Sequence, residues 1–340
     1  MKNKKNSPLV SIIITNFNGE KYLKKCFDSL YKQKYKNIEL ILADGHSSDN
    51  SIKFVKTNYP KVKISRDEEN LGLSYSSNNG AKLAKGEYLL FYNNDTISLP
   101  DFIKEMVKVG QSDKMIGVVC PLQLPYKAQD DNKRTDDRLD TGVGSDIYGY
   151  ICTAKDAGHI FYPDAAIFIR RSLFDLIGGF DNNFFIYGED MDLCWRVHLM
   201  GYKVATAQKA IFRHDSFCAL TNNGKIQTSH KRRLFVERQV ICKMLKYYRG
   251  STLIWLLPKF FFYYFLEALY FLIIKGNPRM FFDVYLKAVW WNVQRLQSTL
   301  KNRRNIQSIR VIDDKEIMKL MYPKYRKIEA VRRLGVPEIK

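Results

Sequence analysis

The sequence predicts an α/β sheet domain followed by a basic helical extension. Three observations predict it. Apolar, β-branched runs alternate with amphipathic stretches through the first part of the chain. Polar clusters follow the first, second and fourth of those runs. Near residue 230 the charge balance and the hydropathy both change abruptly.

Residues 9–15 (LVSIIIT) suit a strand buried on both faces, and Asn16-Phe17-Asn18-Gly19 is a turn signal. Residues 20–33 follow with Tyr22, Leu23, Cys26, Phe27 and Leu30 at helical spacing. A second strand, 38–43, ends at Asp44-Gly45, and Ser47-Ser48-Asp49 reads as the N-cap of a helix through residue 58. Residues 62–65 are a short third strand. Residues 73–84 read as a helix with Gly86 as its C-cap, and 88–92 (YLLFY) as a fourth strand running into Asn93-Asn94-Asp95-Thr96. Short links between alternating elements argue for right-handed crossovers, and such sheets bind ligands at the carboxyl ends of their strands. Thr15 and Asn18, Asp44 and Asp49, and Asn94 and Asp95 fall at those ends.

From about 120 to 165 the periodicity weakens and the chain turns polar (AQDDNKRTDDR), so loops are expected. Order returns with a strand at 165–169 and a helix at 170–177 stopped by Gly178-Gly179. A helix at 190–200 follows, closed by Gly201, then short strands at 204–207 and 210–213.

An apolar fraction of 46% excludes a disordered chain. The net charge of +20 is concentrated: residues 230–340 hold 24 Lys and Arg against 8 Asp and Glu. Six cysteines without a C-x-x-C spacing exclude zinc-ribbon and thioredoxin readings and fit free thiols in a reducing compartment. The apolar run after the basic N-terminus is too short for the core of a signal peptide. The sequence thus divides into a domain at 1–228 and an extension at 229–340.

Within the extension, 231–248 is a basic helix, and 251–274 is very apolar but contains Pro258, Lys259 and Glu267. A charge near the centre of a spanning helix costs about 2.5–3.5 kcal/mol. Helices lying in the interface of an anionic membrane are therefore favoured over a spanning helix, with burial in a homo-oligomer interface or core as the remaining alternative. That places the protein at the cytoplasmic face of the cell membrane, peripheral or monotopic. Basic residues interleaved with aromatics bind nucleic acid. Here the aromatics are fused into one block flanked by Lys and Arg, so lipid is expected and no nucleic acid.

Four segments in order carry a resemblance: VSIIITNFNG (10–19), ADGHSSDNS (43–51), NLGLSYSSNNGAKLAKGEYLLFYNNDT (70–96) and GGFDNNFFIYGEDMDLCWR (178–196). Together, over about residues 8–240, the chain resembles glycosyltransferase family 2, in particular its rhamnosyltransferase-like members. The resemblance implies a GT-A fold, a Rossmann-like nucleotide-diphospho-sugar transferase domain. It also implies a nucleotide-sugar donor, a divalent metal and inversion at the anomeric carbon. By analogy the donor is dTDP-rhamnose or a UDP-hexose, and the acceptor a glycan or lipid-linked glycan of cell-surface polysaccharide or glycolipid synthesis.

The residues agree with that chemistry. Negative charge grows on a departing diphosphate, and a divalent ion held by a carboxylate stabilises it. Asp95 corresponds to the metal-binding aspartate of the family's DxD-type motif, although Asn93 stands where the first aspartate would be. That substitution motivates a rival reading as a non-catalytic scaffold. Mg2+ and Mn2+ favour oxygen ligands, and Mn2+ also accepts imidazole. His214 matches the family's later metal-binding histidine, a structural histidine at a strand end being the alternative. The acceptor hydroxyl must lose its proton, and Glu189-Asp190 matches the family's "ED" pair, with Asp190 as base and Glu189 bonding the acceptor. Thr15, Asn18, Asp44 and Asn70 sit where the family holds base and ribose. Gly72 and Asn94 are counted with the donor site. Asn78 and Asn79 are candidates to cap a helix or touch the donor. Asp192 and Arg196 are spaced to pair across one helical turn. Acceptor-side residues are expected within 140–165, with Asp164 a candidate.

Overall fold

The computed structural model describes residues 7–125, 142–215 and 227–339. The polar run AQDDNKRTDDR, at 128–138, and Cys218 lie outside these. The chain divides into two compact units. One comprises residues 1–143, 160–197 and 202–217, and the other 144–159, 198–201 and 218–340.

The first unit is built on one eight-stranded sheet. Its strands are β1 (Val10–Asn16), β2 (Ile38–Asp44), β3 (Lys63–Arg66), β4 (Tyr88–Asn93), β5 (Thr96–Ser98), β6 (Ile116–Pro125), β7 (Ala166–Arg170) and β8 (Lys203–His214). They lie in the order β3-β2-β1-β4-β7-β6-β8-β5. The half from β3 to β4 is parallel. Beyond it β7 runs antiparallel to both β4 and β6, and β5 antiparallel to β8. The expectation of repeated parallel crossovers thus holds for the first four strands, and the other half is mixed. Helices α1 (Glu20–Tyr31), α2 (Ser51–Asn58), α3 (Leu73–Leu83) and α4 (Phe102–Gly110) are followed by α5 (Arg171–Leu176) and α6 (Glu189–Leu199). Leu23, Phe27 and Leu30 of α1 and Phe102, Ile103 and Met106 of α4 join Ile12, Ile14, Leu42, Leu90 and Phe168 of the sheet in one buried cluster.

Several local expectations are corrected. Gly86 is not a helix cap, because α3 ends at Leu83 with Ala84 as its C-cap. Gly86 instead lies where a Cβ would meet the Leu9 carbonyl at 2.7 Å, so the chain needs glycine to pass β1. Asn78 and Asn79 lie inside α3 and do not cap it. Asn78 bonds the Phe180 carbonyl at 2.9 Å and Asn79 bonds Asp67 at 2.8 Å. The two short strands expected at 204–207 and 210–213 are one strand, β8, with an irregularity between Ala207 and Ile211. The expected loop after residue 120 contains the end of β6.

The second unit contains α7 (His230–Tyr247), α8 (Gly250–Leu269), α9 (Lys287–Gln294), α10 (Leu296–Ile309) and α11 (Arg326–Leu334). A π-helical turn, Tyr270–Ile274, continues α8, and a second one, Met280–Leu286, precedes α9. Thr252, Leu256, Phe260, Tyr264 and Ala268 form the buried ridge of α8, each four residues from the next. The opposite face leaves Ile254, Trp255, Phe262, Leu266 and Ile273 exposed. By length and composition Gly250–Ile274 is long and apolar enough to cross a membrane. Its one acidic side chain, Glu267, turns inward. It bonds Arg233 and lies 2.8 Å from Lys327, whose ammonium also reaches Glu237 at 2.7 Å.

Candidate active site

Parallel pairing aligns the carboxyl ends of the central strands. Thr15 lies opposite Ala43 on one side and Asn93 on the other, and Asn16 opposite Asp44. A cleft of about 210 Å³ opens at this edge. Thr15, Asn16, Phe17, Asn70, Gly72, Asn94 and Asp95 are among its walls, with Phe185 and Ile186 closing another side. Of the residues singled out in the sequence, the fold thus brings Thr15, Asn70, Gly72, Asn94 and Asp95 to one cavity.

Asn18, Asp44, Asn79, Glu189, Asp190 and His214 are not among its walls. Asp44 is fully buried: its Oδ2 accepts from the Asn16 amide at 2.9 Å and the Ser47 hydroxyl at 2.6 Å, and Oδ1 accepts from the Ser47 backbone at 2.8 Å. Asn16 in turn accepts from the Asn94 amide at 2.6 Å, so Asp44 fixes two cleft residues through one relay. Asn18 has a left-handed backbone, φ 49°, and its Oδ1 accepts from the Ser48 backbone at 2.8 Å. It ties the loop after β1 to the loop after β2. Asp49 bonds the Ser51 and Glu20 backbone N–H groups, both at 3.0 Å, and so braces the starts of α2 and α1. Asn79 is spent on Asp67, whose other carboxylate oxygen accepts from Ser76, a cleft residue.

Gly72 has a specific steric reason. Its φ is +98°, and a Cβ there would lie 2.4 Å from the Phe185 carbonyl oxygen. The same oxygen accepts from the Leu73 backbone at 2.7 Å. This close approach fixes the segment that leads to Glu189 and Asp190. In that segment Tyr187 has φ 69° and Gly188 has φ 96°. A bulky residue in the left-handed region is held there only by its surroundings, and such strain concentrates at functional turns. Glu189 and Asp190 open α6; Glu189 is buried, and Asp190 Oδ1 accepts from the Met191 backbone at 2.7 Å. Two residues on, Asp192 and Arg196 make the expected pair at 2.7 Å, both buried.

Asp95 and His214 meet although they are far apart in sequence. The β5–β8 pairing puts Thr96 opposite His214, and the Asp215 N–H donates to the Asp95 carbonyl at 3.0 Å. His214 Nε2 then lies 3.1 Å from Asp95 Oδ1. Burial disfavours the charged imidazole, but the hydrogen bond and charge of Asp95, with Asp164 and Asp215 nearby, outweigh it and raise the pKa of His214. The ring's other nitrogen, Nδ1, lies 3.2 Å from the Gln123 amide, so the imidazole is held from both ends. The sequence gives no role to Gln123, nor to Ser76 inside α3, and it marks Asn16 and Phe17 only as part of a turn after a strand.

The donor set fits one divalent ion. Ligand atoms about 2.1 Å from a shared ion at right angles lie about 3 Å apart, the spacing seen between Asp95 and His214. Among the described residues no three His, Cys, Asp or Glu side chains gather. Such a two-ligand set suits an ion that takes its remaining ligands from water and substrate phosphates.

Comparison with known proteins bears on the same segment. Residues 11–178 match the family model described as glycosyl transferase family 2, a match that ends before Glu189, Asp190 and His214. An uncharacterized glycosyltransferase of Rickettsia typhi is 29% identical over 207 residues, covering 58% of this chain and 60% of that protein. The O-antigen biosynthesis protein RfbC of Myxococcus xanthus is 27% identical over 225 residues, covering 62% of this chain and 18% of that one. The chain therefore spans 60% or less of the length of these relatives. In fold it is similar to GalNAc-T7, solved with UDP, GalNAc and Mn2+, at a TM-score of 0.55 and 17% identity over 72% of this chain and 49% of that one. The match begins in β1 and runs through every strand that forms the cleft, and residues 11–178 are a glycosyl transferase family 2 domain by that match.

Proposed function

We propose that the protein transfers a sugar from a nucleotide-diphosphate donor to a glycan or lipid-linked glycan, with inversion at the anomeric carbon. One observation carries this: the Asp95–His214 pair stands at the edge of a cleft made by the carboxyl ends of parallel strands, and those strands lie within the segment that matches family 2. Asp95 and His214 would hold Mn2+ or Mg2+. When bound, that ion supplies positive charge against the departing diphosphate. The protein's own groups do the rest. Phe17, about half exposed at the cleft, offers a face for a nucleobase. Thr15, Asn70 and Asn94 present hydrogen-bonding groups to the ribose and phosphates. Asp44 and Asn18 keep the two loops in register.

The acceptor hydroxyl attacks the anomeric carbon on the face opposite the diphosphate. The new C–O bond forms as the bond to phosphate oxygen breaks, the electron pair leaves with the diphosphate, and Asp190 takes the hydroxyl proton. Glu189 orients the acceptor. The donor favoured is dTDP-rhamnose, with UDP-hexoses second. Kinship with an O-antigen biosynthesis protein favours cell-surface polysaccharide as the product.

We infer a membrane-surface location, at the cytoplasmic face, and the apolar surface of the second unit favours contact with a membrane. Its apolar helix exposes Ile254, Phe262 and Ile273 at 61–78% of their surfaces, while Glu267, the charge that would oppose burial, is neutralised inside the unit. That arrangement suits a helix lying in the interface.

Transfer from a panel of dTDP- and UDP-sugars, with Mn2+ and with EDTA, tests the enzymatic reading. Turnover should require the metal and Asp190. Full turnover in EDTA or in Asp190→Asn would reject the mechanism, and no turnover with any donor would favour the scaffold reading.

A further inference from the structure

A cleft of about 540 Å³ opens in the second unit between α8 and α11. Its lining includes the cations Lys259, Lys324, Arg332 and Arg333 and a single carboxylate, Glu329. Glu329 is already engaged: Arg333 lies at 2.6 Å, Arg326 at 3.3 Å, and a Tyr322 hydroxyl donates to it. Arg333 also reaches Asp156 at 3.3 Å. Among the described residues Lys259, Lys324 and Arg332 enter no ion pair. Three like charges facing one concavity repel one another, and an anion between them removes that cost.

The wall beside these cations is aromatic, with Tyr263 stacked on Tyr325 at 5.3 Å between ring centres. Lys259 also belongs to the exposed apolar strip of α8. Trp255, Phe262 and Leu266 lie four residues before, three after and seven after it, on the same face. These three are 48%, 61% and 50% exposed. The basic mouth therefore borders an apolar strip. A soluble phosphate would fill the first and leave the second bare, whereas a phospholipid covers both. Lys259, an obstacle to spanning a bilayer, is well placed to snorkel to a headgroup.

We propose that this cleft is a headgroup site for an anionic phospholipid. Lys259, Lys324 and Arg332 hold the phosphate, and the acyl chains lie along Trp255, Phe262 and Leu266. The proposal rests on the membrane-surface reading of this unit and is independent of the transfer reaction.

Co-sedimentation of the full chain with phosphatidylcholine vesicles, with and without phosphatidic acid, tests it. Wild type should prefer the acidic vesicles. Lys259→Gln/Lys324→Gln/Arg332→Gln should lower affinity for them by about 100-fold, each cation near an anionic surface contributing roughly five-fold. Its affinity for neutral vesicles should stay at the wild-type level. A control with the same charge loss, Lys287→Gln/Lys301→Gln/Arg304→Gln, should lose less than about 10-fold. Equal losses in the two triple variants would show a diffuse field and overturn the site. So would millimolar inorganic phosphate displacing the protein from acidic vesicles, which would assign the cleft to a soluble anion. Wild type that sediments with neutral vesicles but shows no preference for phosphatidic acid overturns the headgroup site alone. Wild type that sediments with neither overturns the membrane reading beneath it.

Discussion

The two units treat polar side chains in opposite ways. In the first, carboxylates and amides collect at the carboxyl ends of strands, around a cleft, where Thr15, Asn70 and Asp95 face an opening. In the second, four charges turn inward. Arg233, Glu237, Glu267 and Lys327 neutralise one another beneath a surface that exposes tryptophan, phenylalanine and isoleucine. A polar group at a strand end is available to a ligand, whereas a buried ion pair is spent on structure. Removing one member of such a pair strands the other in a low dielectric. Mutations in the two regions should therefore fail differently, in activity and in folding.

The largest effect expected is catalytic. Asp190→Asn should reduce transfer by about 10²–10⁴-fold, the usual contribution of a general base, with no change in melting temperature. A folding defect with proportionate loss of activity would move Asp190 to the structural side of the comparison. Glu267→Leu should do the reverse. It leaves Arg233 and Lys327 buried with Glu237 as the one carboxylate shared between two cations and should cost about 3–5 kcal/mol in urea denaturation, with donor affinity unchanged. The same contact predicts an acid effect. Burial alone would raise the pKa of Glu267, but Arg233 and Lys327 overcome it and hold it below its ordinary value of 4.5. Since the folded value lies below the unfolded one, the stabilisation is complete above pH 4.5 and fades as pH falls below it. Circular dichroism across that range should show wild type losing stability while Glu267→Leu changes less.

Smaller effects sharpen the first region. Gln123→Leu removes the group that holds the far nitrogen of His214, and Mn2+ affinity by calorimetry should fall about 10–100-fold, as when outer partners of metal ligands are removed. Unchanged affinity would show that Asp95 alone orients the ring. Gly72→Ala places a Cβ against the Phe185 carbonyl at positive φ and should cost about 1–3 kcal/mol. It should also weaken donor binding, since both residues line the cleft.

What the sequence made legible follows the same divide. The stretches 12–14 of β1, 40–43 of β2 and 88–92 of β4 are buried, so their residues form unbroken apolar runs, and the polar residues just beyond them mark the cleft without any alignment. Pairings distant in sequence were not legible. Nothing local to Gln123 shows that it meets His214, ninety-one residues away. Nor does the run around Asp44 reveal that Asn16 and Ser47 occupy its oxygens. The sequence of β8 suggests two strands because exposed Gln208 and Lys209 interrupt its apolar residues, whereas the backbone absorbs them as an irregularity between Ala207 and Ile211. In the second unit the sequence displayed Glu267 as a misplaced charge. Its partners Arg233 and Lys327, thirty-four and sixty residues away, appear only on folding.

The central claim is that Asp95 and His214 hold a metal against a nucleotide diphosphate. It is tested most directly by the melting temperature of wild type and Asp95→Asn with UDP or dTDP, each with and without Mn2+. Ligand at about a hundred times its dissociation constant stabilises a fold by about 2.7 kcal/mol. Wild type should gain several degrees only when nucleotide and Mn2+ are both present, and Asp95→Asn should gain none. An equal gain in the two proteins, or a gain in wild type that does not need Mn2+, would contradict the account.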